Sequence, residues 1–242
     1  WQAAQAAGSA LRHVLGELRA FTREAARAFV ASRAALLGVL LALLPLGALS
    51  LSLSLGSNLA VELGLSDAQI GTLGLAGSVL SALGCIVGGH LSDRFGRRSV
   101  LAAAIVLTAV PTLLLAWQMQ SSGHVMPVDP SNAAQAATDA HLMAVFIGVG
   151  LAYSLVGGLG IGASTALFMD ITTPAVAATQ FTAYMALSNL ATSTTAFWQG
   201  HALSRFGYPN TLLLDVLVGL LPLLLLPWMA VRARAWPAAI AR

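Results

Sequence analysis

The chain has 242 residues, 57% of them hydrophobic and 9% charged, with a mean hydropathy of +0.81 and a net charge of +3. That balance excludes an ordinary soluble domain and leaves room for about six spanning helices of ~20 residues each. One cysteine, Cys85, excludes an internal disulfide or thiolate cluster, and twelve basic residues that are all arginine, and clustered, speak of membrane topology rather than nucleic acid.

The chain opens on Trp1 rather than methionine, so a fragment or a processed product is expected. Residues 1–33 read as an amphipathic linker helix. Leu11, Val14, Leu15, Leu18, Phe21, Ala25 and Phe29 recur at helical spacing, with Arg12, Arg19, Arg23 and Arg27 on the other faces. A basic helix lying on a leaflet and a solvated helix packed on the protein fit that pattern equally.

Six spans are expected within residues 34–232, at about 34–60, 69–91, 99–118, 141–169, 178–203 and 211–231, followed by a tail over 233–242. Pro45 should kink the first, in whose second half Ser50, Ser54, Ser57 and Asn58 fall on one helical face. The second carries Gly84 and Gly88, a small-xxx-small pair for close helix approach. The third is apolar apart from two threonines. The fourth is glycine-rich, with local unwinding possible in principle from Gly148 to Gly162. Along the fifth, Tyr184, Ser188, Thr192, Thr195 and Gln199 share a face, with Asn189 beside it. The sixth is Leu, Val and Pro broken by Asp215, which is placed, with Glu62, near the outer surface and in solvent.

Between spans two and three, Asp93, Arg94, Arg97 and Arg98 put four charges in six residues. Each would cost roughly 2.5–3.5 kcal/mol in hydrocarbon, so the turn belongs in water at a membrane face. With six spans, eleven of the twelve arginines fall on that face, and only Arg205 lies opposite. By the positive-inside rule it is cytoplasmic, which puts both termini in the cytoplasm of a multi-pass inner-membrane protein. The turn Gly89–Gly96 recurs, degraded, at Gly200–Gly207, an offset of 111 residues at which Gln69 also meets Gln180. Three spans between the copies turn them to opposite faces, so the fold class expected is an all-α membrane protein built as a 3+3 inverted repeat.

Gly89, Leu91, Asp93, Arg94, Gly96, Arg97, Arg98 and Leu101 resemble the signature between helices two and three of a major facilitator half. The stretches Leu63–Gly71, Ala166–Asp170 and Ala178–Phe181 are similar to the muropeptide-permease and acetyl-coenzyme A transporter branch. The resemblance implies twelve helices, of which this chain is the carboxy-terminal six. Its partners would be the lipid bilayer, the absent amino-terminal half and a small-molecule substrate. It also implies that Asp93 caps a helix of the other half and that the arginines anchor a cytoplasmic gate, while spans three and six face lipid.

The candidate substrate path is Ser50, Ser54, Ser57, Asn58, Tyr184, Ser188, Asn189, Thr192, Thr195 and Gln199, for which interhelical hydrogen bonding is an equal reading. Asp170 is a helix cap or a titrating group. His90, His141 and His201 lack metal-ligand spacing, and no HExxH or nucleophile–base pattern is present, so no metal, cofactor or enzymatic activity is expected. The function expected is secondary active transport of a small organic solute by alternating access. The alternative is a non-transporting six-helix membrane protein, structural or receptor-like, that pairs with itself.

Overall fold

Caps and glycines divide the apolar chain into helices. The computed structural model describes residues 23, 27, 29, 32–127 and 140–229; most of 1–31, the loop over 128–139 and the tail lie outside the described residues. The described elements are α1 (Arg33–Ala42), α2 (Ser54–Glu62), α3 (Asp67–Phe95), α4 (Arg97–Ser122), α5 (Ala140–Ile171) and α6 (Ala177–Leu220), joined by short 3-10 turns. Four stretches are long and apolar enough to cross a membrane: α3, α4, α5 and residues 174–228 built on α6.

Ser66 opens α3 through a capping box. Its backbone N–H donates to Gln69 Oε1 at 2.8 Å while its hydroxyl accepts from Gln69 N–H at 3.4 Å. The helix runs on through Asp93 and Arg94 and stops at Gly96, where φ is +88°, a conformation open to glycine at little cost. Arg97 starts α4 at once, so the turn expected over 92–98 is one residue long. At Gly207, 111 residues on, φ is +74° and α6 is likewise two helices joined at a glycine. Pro111, inside α4, and Pro222, in the 3-10 turn after α6, stand at the same offset.

The first span departs from expectation. Instead of one kinked helix over 34–60, α1 ends at Ala42 and α2 begins at Ser54, with only a 3-10 turn, Ser50–Ser52, between them. Pro45 has no N–H to give the helix and clashes with the preceding turn. The amides released by the break find acceptors elsewhere in the fold. Gly47 donates to the Gly219 carbonyl at 3.1 Å, Ala48 to Thr108 Oγ1 at 3.2 Å, and Leu49 and Ser50 to Asp215 Oδ2 at 2.8 and 2.9 Å. Ser50 therefore shares no helical face with Ser54, Ser57 and Asn58: it is fully buried, and they are exposed. The last span is also shorter as a helix than expected. α6 gives way at Leu221 to two 3-10 turns with Pro222 and Pro227 in their first turns.

Glycine brings α3 and α5 together. A methyl at Gly84 would strike the Leu155 carbonyl, one at Gly88 the Leu159 carbonyl, one at Gly158 the Ser81 carbonyl and one at Gly162 the Cys85 carbonyl. The two backbones thus touch along two turns. For all its glycine, α5 is a continuous helix of 32 residues; it does not unwind. α4 buries Leu101, Ile105, Thr108, Thr112, Leu115 and Met119 and turns Val106, Val110, Leu114 and Trp117 outward. The third span thus has one apolar face outward and the other in the core. The barest helix is α3, which exposes Leu75, Val79, Leu83 and Ile86. One apolar cluster, around Leu59, Leu115, Met119, Phe146 and Leu212, fills the end away from Gly96, and another, around Leu41, Leu101, Ile105, Leu167 and Tyr184, fills the end near it.

Gly158→Leu is expected to force α3 from α5 and to lower stability by about 1–3 kcal/mol, the usual cost of overpacking. Thermal unfolding in detergent measures this; a melting temperature equal to the parent's would contradict the packing.

Candidate functional site

Arg97, the first residue of α4, reaches back and across. Its Nη2 lies 3.5 Å from Asp93 Oδ1, one turn earlier, and its Nη1 donates to Asp170 Oδ1 at 2.6 Å and to the Ala166 carbonyl. A guanidinium's planar fork suits several acceptors at once. The ion pair is one-quarter exposed on the arginine side and 17% on the aspartate side, so it is neither fully solvated nor sealed. Asp170, at the end of α5, thus joins the charged turn. Arg98 donates to the Met229 carbonyl at 2.7 Å, and Arg33 lies 5.4 Å over the Trp228 ring. Arg94 covers the neighbouring Phe95 ring and is exposed, as is Asp93; Leu91 packs on the nearby apolar cluster, and a side chain at Gly89 would meet open space.

Between this end and the opposite one lies a cavity of about 730 Å³ walled by the break after α1 and by α3, α5 and α6. Its wall carries hydroxyls from Ser52, Ser57, Tyr153, Ser154, Ser164, Thr165, Ser188 and Thr192, and no acidic, basic or imidazole side chain. Of the ten residues expected along a substrate path, the structure places Ser57, Ser188 and Thr192 on this wall. Ser54, Asn58 and Asn189 are exposed elsewhere, and Thr195 is buried. Tyr184 is wholly buried: its hydroxyl accepts from Gln180 Nε2 and donates to the Ala35 carbonyl at 3.2 Å, which fastens α6 to α1. The remaining two, Ser50 and Gln199, serve Asp215.

Asp215 is fully buried, not near a surface in solvent as its sequence position suggested. It accepts from the Leu49 and Ser50 amides, from the Ser50 hydroxyl and, at 2.7 Å, from Gln199 Nε2. The broken helix supplies the donors, and that is why the carboxylate turns inward. Beside the break, Tyr153 donates to the Ala48 carbonyl at 2.7 Å, with Ser52 Oγ at 3.2 Å. Glu62 is also drawn in: at the far end of the fold it accepts from the Tyr208 hydroxyl at 2.8 Å, and His124 Nε2 lies 3.6 Å away. Sequence reading missed Asp215 and Tyr153 as site residues. The signal for Asp215 was present, since an ionisable residue inside an apolar span is a functional candidate by default.

A family model described as Major Facilitator Superfamily matches residues 28–241. The chain belongs to the major facilitator superfamily. No curated protein and no solved structure matches it. Membership makes it a transporter of the major facilitator type and an integral membrane protein, and the superfamily's members are transporters rather than enzymes. In superfamily terms Arg97 belongs to the signature motif, and the structure pairs it with a carboxylate 73 residues along the chain.

A double-mutant cycle on Arg97→Ala and Asp170→Asn should return a coupling energy of roughly 0.5–3 kcal/mol, as for other side chains in direct contact. Unfolding of the four proteins in detergent gives this value; strict additivity would mean that the pair contributes nothing.

Proposed function

We propose that the chain is the carboxy-terminal six-helix half of a secondary active transporter. It moves a small organic solute by rocking-type alternating access, with the charged turn as its cytoplasmic gate. The observation that carries this reading is the Arg97 cluster fastening α3, α4 and α5 at one end of an uncharged cavity. Asp93, exposed and only loosely held by Arg97, keeps carboxylate oxygens free to cap a helix of the partner half. Such a cap contributes about 0.3–1 kcal/mol when exposed and up to ~2 kcal/mol when partly buried. A contact of that size holds a closed gate and yields in every cycle.

The positive φ at both Gly96 and Gly207, and the Pro111 and Pro222 pair at the same offset, support a 3+3 inverted repeat. The arginine distribution supports an inner-membrane protein with both termini cytoplasmic. The missing half supplies the facing cavity wall. A wall of hydroxyls and apolar groups suits a neutral or weakly charged solute. A polyanion such as an acyl-coenzyme A, which the likeness to the muropeptide-permease and acetyl-coenzyme A branch would allow, must find its countercharge in the other half.

Uptake of labelled muropeptides, acetyl-coenzyme A and neutral sugars into proteoliposomes tests the reading, with this chain alone and joined to an amino-terminal half. The joined form should take up one of these classes, and Arg97→Ala should slow its initial rate about tenfold, equivalent to ~1.4 kcal/mol. No uptake by the joined form, together with stable homodimers of the chain alone, would favour the self-pairing structural protein instead.

A further inference from the structure

The break after α1 is held by a charge that no cation balances. Among the described residues, neither arginine nor histidine forms an ion pair with Asp215. Its ionised form is held by dipoles alone: two backbone amides, the Ser50 hydroxyl and the Gln199 amide. The other groups at the break are Thr108 from α4, on the Ala48 amide, and Tyr153 from α5, on the Ala48 carbonyl; Tyr153 is the titratable one. The surroundings of the carboxylate are donors, which suits neither sodium nor another metal ion. The nearby Ala48 and Leu49 carbonyls already accept from the Tyr153 and Ser52 hydroxyls.

Gln199 carries a second observation. Its Oε1 is buried without a hydrogen-bond partner, while its Nε2 donates to Asp215 Oδ1. Rotating the amide end for end would present Oε1 to Asp215, an arrangement that requires a protonated carboxyl as donor. The Ser50 hydroxyl likewise can donate or accept. Both side-chain partners of Asp215 can thus serve either protonation state, whereas the Leu49 and Ser50 amides can only donate. They are the groups that lose a charge-assisted bond, roughly twice as strong as a neutral one, when the proton arrives.

We propose that Asp215 is a proton-binding site whose occupancy sets how firmly the break is held against α6. Leu49, Leu51 and Ser52 of the same break line the cavity, so a proton taken up at Asp215 loosens the cavity wall directly. The reaction is proton binding alone: the carboxylate gains one proton from solvent, and no other bond is made or broken. This deepens the transporter reading and rests on it, by giving that transporter the proton as its coupling ion.

Hydrogen–deuterium exchange on the reconstituted full chain tests this without any solute, so its outcome is independent of the uptake assay. After correction for intrinsic exchange, protection of residues 47–53 should fall about tenfold between about pH 8 and about pH 5. In Asp215→Asn it should be low and flat across that range, while protection of the α3–α5 contact stays at the parent's level. PH-independent protection in the parent, or a parent-like profile in Asp215→Asn, would overturn the proposal. If Asp215→Asn does not fold, Asp215→Glu decides: a displaced midpoint supports the proposal, and an unmoved one overturns it.

Discussion

Backbone amides without water need acceptors, and the stretch from Leu43 to Leu53 has to find them inside an apolar fold. That requirement organises the molecule. An unmet amide in such surroundings costs several kcal/mol, so non-helical backbone at membrane depth survives only where protein or a watered cavity receives it. Here α4 gives Thr108, α6 gives the Gly219 carbonyl and Asp215, and α5 braces the break through Tyr153. One broken segment therefore fixes three long helices relative to one another. The cavity is the space left beside it.

The two ends of the bundle are closed by different chemistry. Near Gly96, charge is shared among Arg97, Asp93 and Asp170 and passed on to neutral carbonyls at Ala166 and Met229. At the other end, Glu62, Tyr208 and His124 join α2 to the turn at Gly207 and to the chain after α4, where the Tyr208 amide donates to the Val125 carbonyl at 2.7 Å. Between them the helices meet through glycine and apolar side chains. The ends hold contacts that can be exchanged; the waist, where α3 and α5 touch backbone to backbone, cannot give without losing packing.

Much of this could be read along the chain because its causes are local. The Ser66 and Gln69 capping box, the stops at Gly96 and Gly207 and the small residues at Gly84 and Gly88 depend on neighbours within a turn or two. The charged turn was visible because charge is scarce. The break in the first span was only half legible. Pro45 announced a disturbance, but its extent depends on acceptors 60 to 166 residues away. Asp215 was placed in solvent because nothing near it in sequence needs a carboxylate; its reason for burial is Ser50. For the same cause the polar stripe of the fifth span divided into cavity wall, a staple to α1 and a partner for Asp215. Helical spacing names a face, but which neighbour that face meets is decided by tertiary structure.

The long reach from Ser50 to Asp215 also imposes an order in time. The two are separated by 165 residues. At ordinary synthesis rates of about 5–20 residues per second, roughly 8–33 s pass between the emergence of the amides and that of their acceptor. Through that interval the first span must wait in the membrane with Leu49 and Ser50 unsealed, kept by water, by the insertion machinery or by a provisional fully helical form. The last helix to arrive is thus the one that completes the first.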